Sequence, residues 1–342
     1  MAEMNTIVAT PGEHPFKFGS PVTEVFNDSQ RYDADEDLTA AIRVALLLGM
    51  PLLLTGEPGS GKTSVADWLA WKLQLGAPLV YNVKSTTTGR DLLYQFDELA
   101  RFRDSQAGER RAVESYVRLN ALGLAILYSG DAGAPVRIDP LPLTRATLAE
   151  TGRLGTAEGS QFGRRHVVLI DELDKAPRDT PNDLLLEIAE MRFHIDELGI
   201  GIPGQKENRP VVIITSNSEK SLPEPFLRRC VFHHIKSPDD RRRRRIIARR
   251  QHPFASRAEL FEQAMRLYDV LHGTLSRPPG TAELLAWLTV LDDAVEAAQA
   301  RRPAREAPPS LKGLVKNSLG TLAKTKEDID RATAAVVSEG LD

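Results

Sequence analysis

The sequence predicts an α/β fold with a parallel central sheet flanked by helices, followed by a small α-helical domain at the C-terminal end. Three short apolar runs, each ending in polar residues, indicate strands that are covered on both faces. These runs are Pro51–Leu54, Val167–Ile170 and Val211–Ile214. Beyond Ser237 the apolar residues recur at helical spacing instead. A chain of 342 residues with 42% hydrophobic content can bury a large core and a smaller second one.

A glycine-rich turn follows the first apolar run and precedes an amphipathic helix. Its residues are Gly56, Glu57, Pro58, Gly59, Ser60, Gly61, Lys62 and Thr63, with Ser64 next. Glycines let such a turn point backbone N–H groups inward, and the helix N-terminus adds partial positive charge, so the turn is predicted to bind phosphates. Lys62 is placed to reach the β- and γ-phosphates, and the Thr63 hydroxyl to ligate Mg²⁺. The predicted cofactors are therefore a nucleoside triphosphate and Mg²⁺.

Candidate catalytic groups follow the other two apolar runs. Asp171 and Glu172 come directly after the second run, where the carboxyl ends of parallel strands bind ligands. Asp171 is predicted to hold Mg²⁺ and Glu172 to orient and deprotonate the attacking water, although an acidic pair can also simply cap a helix. Asn217 follows the third run and is placed to hydrogen-bond the γ-phosphate or that water.

Two adjacent arginines, Arg228 and Arg229, precede a further apolar strand. Arginines on a surface are usually solvated or ion-paired. A planar guanidinium also suits the charge of a phosphoryl transition state, so both residues are candidates for a catalytic role.

The ordered set of motifs resembles the AAA+ ATPases: Walker A at residues 56–63, Walker B at Asp171 and Glu172, sensor 1 at Asn217, and the arginine finger at Arg228 or Arg229. A finer resemblance to the MoxR group rests on the segments 169–176, 181–185 and 222–229. The resemblance implies an AAA+ P-loop core with a helical lid and ATP as the nucleotide. It places the arginine finger on Arg229, with Arg228 as the alternative, and sensor 2 on Arg277.

The same resemblance implies a remodelling, chaperone-like motor that acts on a protein substrate. Such a motor forms a homo-oligomeric ring, a hexamer, with nucleotide at the subunit interfaces and a partner that carries a von Willebrand factor A domain. Two other classes stay open. One is a nucleic-acid motor or the NTPase subunit of an anti-phage system, and the other is a nucleotide-gated scaffold that hydrolyses little, against which the presence of Glu172 argues.

The nucleic-acid alternative rests on the run Arg241–Arg245. Five consecutive arginines point to every face of a helix and cannot form one groove-binding stripe, so a solvated, partly ion-paired surface is the favoured interpretation. The formal net charge of −3 also argues against nucleic-acid binding over the whole surface.

We expect a flexible extension at residues 1–20, the nucleotide-binding core at 21–236 and the lid at 237–342. The long interval between Lys62 and Asp171 indicates an insertion around residues 84–165, with a helix over 111–128. The family resemblance makes this insertion a candidate for substrate contacts at a central pore, and a surface elaboration without a ligand is the alternative. Alternation around residues 192–209 predicts a β-hairpin, and Thr180 is predicted to cap the helix that follows it.

Two further features of the sequence indicate the cellular compartment of the protein. The single cysteine, Cys230, suits a reducing environment. The sequence contains no apolar run of some 18 residues, and its first residues lack the basic and apolar pattern of a secretion signal. The expectation is a soluble, cytoplasmic protein that makes no membrane contact.

Overall fold

The structure, a computed structural model, describes residues 28–137, 143–151, 161–218, 222–300 and 311–338. The extension expected at residues 1–20 lies outside these ranges. A single 3₁₀ turn at Ser29–Arg31 leads into the first helix, α1 (Glu36–Leu48). Asp35 caps α1 by accepting a hydrogen bond from the Leu38 backbone N–H at 2.7 Å. The helix ends at Gly49 in the left-handed conformation.

The first βαβ unit consists of β1 (Leu52–Gly56), α2 (Ser64–Lys72) and β2 (Leu79–Asn82). Every residue of β1 is buried, as the uninterrupted apolar run predicts for a strand covered on both faces. The glycine-rich turn connects β1 directly to α2, which is the arrangement that the phosphate-binding prediction requires.

An elaborate segment follows β2. It consists of β3 (Tyr94–Phe96), α3 (Glu98–Gln106), β4 (Val117–Leu119), α4 (Ala121–Tyr128), β5 (Pro135–Arg137), β6 (Leu143–Thr144) and α5 (Arg145–Thr151). The eight residues of α4 are all buried. Gly123 brings α4 against the backbone of Leu93 so closely that an added Cβ would lie 2.1 Å from the Leu93 carbonyl oxygen. Only glycine fits at that position.

The prediction of a single helix over residues 111–128 is wrong in its first part. Residues Val113–Tyr116 form a 3₁₀ turn, and β4 then pairs antiparallel with β3. Val117 and Leu119 are buried while Arg118 between them is exposed. This period of two, rather than a helical period, decides the conformation, and the true helix α4 begins only at Ala121.

The remaining elements of the core begin with the second predicted strand. They are β7 (Val167–Asp171), α6 (Thr180–Glu190), β8 (Arg192–Ile195), β9 (Ile200–Pro203), β10 (Val211–Ser216), α7 (Glu224–Leu227) and β11 (Val231–Ile235). Strands β8 and β9 pair antiparallel as a hairpin. Asp179, not Thr180, occupies the N-cap position of α6, because the Thr180 hydroxyl donates instead to the Thr87 carbonyl oxygen at 3.1 Å.

Five strands form the central sheet in the order β11-β1-β10-β7-β2, and every neighbouring pair is parallel. Alternate side chains of β7 and β10 enter two separate apolar clusters. Leu169 and Ile213 pack with α1 and α2 on one face, whereas Ile170 and Ile214 pack with α4 and α6 on the other. This arrangement confirms the predicted fold class, a parallel sheet with helices on both sides.

The C-terminal region is helical, as predicted. It contains α8 (Asp240–Arg249), α9 (Ala258–Thr274), α10 (Thr281–Ala300), α11 (Leu311–Val315) and α12 (Lys326–Ser338). Its own apolar cluster surrounds Trp287, whose indole N–H donates to the Ser318 hydroxyl at 2.9 Å. We refer to these helices as the lid. None of the helices in the described ranges is both long and apolar enough to cross a membrane.

Candidate nucleotide-binding site

The turn between β1 and α2 has the backbone geometry of a phosphate cradle. Gly56, Gly59 and Gly61 adopt φ angles of 145°, 75° and 88°, which side-chain-bearing residues rarely adopt. A Cβ added to Gly56 would lie 2.6 Å from the carbonyl oxygen of Ile235 on the neighbouring strand. Glycine is therefore required at Gly56 both by conformation and by space.

Lys62 is folded over this turn. Its ammonium group donates to the carbonyl oxygens of Gly56 at 2.8 Å and Glu57 at 2.9 Å. Burial lowers the pKa of Lys62, and the nearby carboxylate of Asp171 opposes that shift. A charged amine held at the mouth of the turn is placed to contact phosphate oxygens.

The residues of the turn fit a nucleoside triphosphate. The Ser60 hydroxyl is buried and has no hydrogen-bond partner among the described residues, so it is a polar group that a phosphate oxygen would satisfy. The turn opens onto a cavity of about 680 Å³, which extends from Lys62 to Ile246 and Leu285 of the lid. That volume lies within the range of small-molecule and cofactor sites.

The Walker B acids reach this cavity from the end of β7, which is separated from β1 by β10. The Thr63 hydroxyl lies 3.2 Å and 3.3 Å from the two carboxylate oxygens of Asp171, so both groups could ligate one Mg²⁺ ion. The Thr215 hydroxyl donates to Asp171 Oδ1 at 2.5 Å and accepts the Glu172 backbone N–H at 2.8 Å. Sequence reasoning missed Thr215, although it lies two residues before Asn217 at the end of the same strand.

Glu172 has a strained backbone. Its φ of 59° lies in the left-handed region, which costs about 1–3 kcal/mol for a residue with a side chain and is concentrated at functional sites. Its carboxylate lines the cavity and forms an ion pair with Lys175. Two hydrogen bonds support this backbone conformation: the Glu172 N–H donates to the Thr215 hydroxyl at 2.8 Å, and the Glu172 carbonyl oxygen accepts the Lys175 N–H at 3.0 Å.

Asn217 also lines the cavity, at the end of β10. Its backbone N–H donates to Asp174 Oδ1 at 3.1 Å. The structure thus brings together the turn 56–63, Asp171, Glu172 and Asn217, as the parallel strand pattern predicts, and adds Thr215 and Asp174 as their supports.

Other parts of the cavity lining are built by residues that sequence reasoning did not identify as ligand contacts. They are Tyr32, Asp33, Arg242, Ile246, Arg250, Leu285, Ala286 and Lys324. Of these, Arg242 belongs to the run Arg241–Arg245 that the sequence analysis identifies. Burial lowers the pKa of Arg250 and raises that of Tyr32.

Arg277 does not line the cavity and is exposed. The loop that carries it is held by Asp328, whose carboxylate accepts hydrogen bonds from the backbone N–H and the hydroxyl of Ser276 at 2.9 Å and 2.7 Å. Other residues of the C-terminal region approach the phosphate turn: Glu283 Oε2 would lie 3.0 Å from a Cβ added to Gly59, and a Cβ added to Gly280 would lie 2.8 Å from the Pro58 carbonyl oxygen. The structure therefore does not bring Arg277 to the phosphates, and its assignment as sensor 2 stays a prediction.

The two candidate finger residues lie elsewhere. Arg228 forms an i,i+4 ion pair with Glu224, while Arg229 is exposed and makes no side-chain ion pair within the described ranges. Together with Pro225 they border a small separate cavity of about 330 Å³. Neither arginine lines the nucleotide cavity of its own chain.

The sheet order, the phosphate turn and the paired acids together define a P-loop nucleoside triphosphatase. Residues 51–230 match the family described as AAA domain (dynein-related subfamily), over slightly more than half of the sequence, and the chain belongs to this family. The protein is accordingly an ATPase. No curated protein matches the chain significantly in sequence.

One solved structure similar to this chain is that of a RuvB variant from Thermotoga maritima. Its sequence is 16% identical, the similarity covers 89% of this chain and 80% of RuvB, and the TM-score is 0.42.

Proposed function

We propose that this ATPase is a Mg²⁺-dependent remodelling motor of the MoxR type, which works as a homo-oligomeric ring, a hexamer, on a protein substrate. The proposal combines the AAA family membership with the MoxR-like segments 169–176, 181–185 and 222–229. It includes a partner with a von Willebrand factor A domain, which rests on the sequence resemblance alone.

In this proposal each residue of the cavity has a different role in ATP hydrolysis. The turn and Lys62 bind the phosphates, and Thr63 and Asp171 hold Mg²⁺, which neutralises phosphate charge when bound. Glu172 accepts a proton from the attacking water, and Asn217 orients that water or the γ-phosphate. Thr215 keeps Asp171 and Glu172 in register through its two hydrogen bonds.

The position of Arg228 and Arg229 is the observation that supports the proposed assembly into a ring. A guanidinium that lines no part of its own chain's cavity can act in phosphoryl transfer only on a neighbour's nucleotide. Both arginines are exposed, but Arg228 forms an ion pair with Glu224, whereas Arg229 forms no side-chain ion pair within the described ranges. This geometry favours Arg229 as the arginine finger and a site completed by a second copy of the chain.

The insertion and the hairpin are the proposed substrate-contacting parts. They are joined to each other, because Glu197 in the hairpin turn accepts hydrogen bonds from the Tyr94 hydroxyl and the Arg90 guanidinium, each at 3.0 Å. Helix α3 of the insertion exposes Leu99 and Phe102, whose surfaces are 75% and 63% accessible. Two large apolar side chains one helical turn apart are suited to contact with an unfolded or partly folded protein.

The nucleic-acid alternative finds no support in the arginine-rich helix. Four of its five consecutive arginines, Arg242 to Arg245, form ion pairs with carboxylates of this chain. Guanidinium groups that already have carboxylate partners are poor candidates for phosphate contacts.

Native mass spectrometry of the Glu172→Gln variant with Mg²⁺ and ATP tests the assembly. The substitution slows hydrolysis and so holds the nucleotide in place. The expected result is a single closed species of six copies. A protein that remains monomeric at every concentration at which it stays in solution, with Mg²⁺ and ATP present, would contradict the proposal.

A further inference from the structure

The carboxylate of Asp33 is buried at a meeting point of three arginines. Its side chain is only 4% exposed. Arg245 Nη2 lies 2.8 Å and Arg249 Nε 3.2 Å from its two oxygens, and Arg242 Nε lies 3.6 Å from Oδ2. A carboxylate removed from water to this extent is stable only with such charged partners.

The three arginines come from one side of α8. They are spaced at i, i+3 and i+7, which places them along a single face of a helix. The intervening arginines turn the other way: Arg243 pairs with Asp269 of α9, and Arg244 pairs with Asp240 and Glu262. The arginine-rich helix is thus divided between contacts within the lid and contacts to Asp33.

Asp33 belongs to the segment of residues 31–35, which we call the strap. On its other side the strap touches the phosphate turn and α2. The Tyr32 ring lies 5.9 Å, centroid to centroid, from that of Trp68, and a Cβ added to Gly61 would lie 3.4 Å from the Tyr32 ring. The strap therefore connects the P-loop side of the cavity to the lid.

Further contacts strengthen this connection. Arg31 donates to the Arg250 carbonyl oxygen at 3.1 Å, and Arg242 donates to Asp35 Oδ2 at 2.6 Å and to the Asp33 carbonyl oxygen at 3.1 Å. Asp33 and Arg242 both line the nucleotide cavity. The ion pairs that connect the strap to the lid thus also form part of the lining of the nucleotide cavity.

From this geometry we infer that Asp33 is a positioning residue for nucleotide binding: by gathering Arg242, Arg245 and Arg249 it fixes the lid against the phosphate turn and assembles the cavity. Without its carboxylate the three guanidinium groups lose their shared buried counter-charge and repel one another, so the attachment of α8 to the strap weakens, although Arg242 still pairs with Asp35. The hydrolytic groups Asp171, Glu172 and Asn217 lie on other strands and keep their contacts. ATP affinity, rather than the chemical step, depends on Asp33. This inference rests on the ATPase activity and is independent of ring assembly and substrate.

Steady-state ATPase kinetics of two variants and a matched control test the inference. Asp33→Asn removes the carboxylate, and Arg245→Gln removes its nearest partner. Arg244→Gln is the control, since it removes the same charge from the same helix but contacts Asp240 and Glu262 instead. We expect the KM for ATP to rise about tenfold or more in Asp33→Asn and several-fold in Arg245→Gln, with kcat within about threefold of the wild type. Arg244→Gln should keep both values within about twofold.

Two additional measurements separate positioning from general destabilisation. Asp33→Glu, which keeps the charge, should recover most of the ATP affinity. Amide hydrogen exchange of Asp33→Asn should rise in α8 and the strap while β1 and β10 stay protected. If Asp33→Asn does not fold, the KM of Arg245→Gln tests the inference instead. This variant is expected to fold, because Arg242 and Arg249 still pair with Asp33. KM values for Arg245→Gln and Asp33→Asn equal to that of the control, or a loss confined to kcat, would overturn the inference.

Discussion

The Thr63 hydroxyl lies 3.2 Å from Asp171 Oδ1, although 108 residues separate them in the chain. The parallel sheet brings them together, because β1 and β7 both pair with β10 and the ends of all three strands meet at one edge. Thr215, at the end of β10, holds the same carboxylate oxygen at 2.5 Å. The proposed metal site therefore depends on the register of three strands.

The first prediction concerns the roles of Glu172 and Lys62. Glu172→Gln should leave ATP affinity within a few fold and lower turnover by roughly 10² or more, because only proton transfer from water is removed. Lys62→Ala should instead lose ATP binding. Titration calorimetry with ATP and a phosphate-release assay measure the two effects. Turnover of Glu172→Gln within about threefold of the wild type would remove Glu172 from the role of base.

The second prediction concerns Thr215. Thr215→Val keeps the shape of the side chain but leaves the Glu172 N–H without its hydrogen bond, which costs about 1–3 kcal/mol when the group is buried. We expect kcat to fall about tenfold or more and the KM for ATP to change less than about threefold. Thr215→Ser, which keeps the hydroxyl, is the matched control and should retain most activity. Equal activity of the valine and serine variants would show that the hydroxyl does not position the acids.

The third prediction concerns nucleic acid. Because Arg242 to Arg245 are paired with carboxylates of their own chain, we expect no salt-sensitive binding to single-stranded or duplex DNA tighter than about 10 μM at 50 mM salt, and no DNA-stimulated ATPase activity. Fluorescence anisotropy with and without ATP measures the binding. Submicromolar affinity that disappears when Arg241–Arg245 are changed to glutamine would favour a nucleic-acid motor.

The fourth prediction concerns pH and the lid. His252 is buried, its Nδ1 accepts the Phe254 backbone N–H, and burial lowers its pKa. Because its pKa is lowered in the folded lid, His252 binds a proton more readily in the unfolded chain, so it lowers the stability of the fold as pH falls below about 6.5.

Thermal unfolding at pH 7.5 and 5.5 measures this effect. In His252→Gln the loss between the two pH values should be smaller than in the wild type. His194→Gln is the control, because the His194 side chain is 54% exposed. The same pH dependence in wild type and His252→Gln would exclude His252 as its source.

Local patterns were sufficient to predict strands β1, β7, β10 and β11 and the residues at their carboxyl edge, but not the edge strand β2. Uninterrupted apolar runs indicate buried parallel strands, and strands of that kind end at a common edge, so Lys62, Asp171, Glu172 and Asn217 could be placed together from sequence. The spacing of the apolar residues in the lid likewise predicted that the lid is helical.

Other features depend on contacts that are distant in sequence. Asp33 and Arg245 are 212 residues apart, and nothing in the strap marks Asp33 as a partner of the arginine-rich helix. Arg277 lies outside the cavity, in a loop that is held by a hydrogen bond from Ser276 to Asp328, 52 residues away in sequence. The helix expected over 111–128 begins late because Val117 and Leu119 pair with β3. In each case a tertiary partner, and not local propensity, determines the outcome.

The most direct test of the central claim, that one subunit completes the active site of the next, is to mix two inactive variants. Arg229→Ala keeps Glu172, and Glu172→Gln keeps Arg229, so an interface formed between them in one order contains both groups. Each variant alone should be nearly inactive, and an equimolar mixture should recover a substantial fraction of the wild-type ATPase rate. The same mixing experiment with Arg228→Ala in place of Arg229→Ala is the matched control, because it tests which of the two arginines is the arginine finger. No recovery in a mixture shown by native mass spectrometry to contain both variants in one assembly would contradict the account.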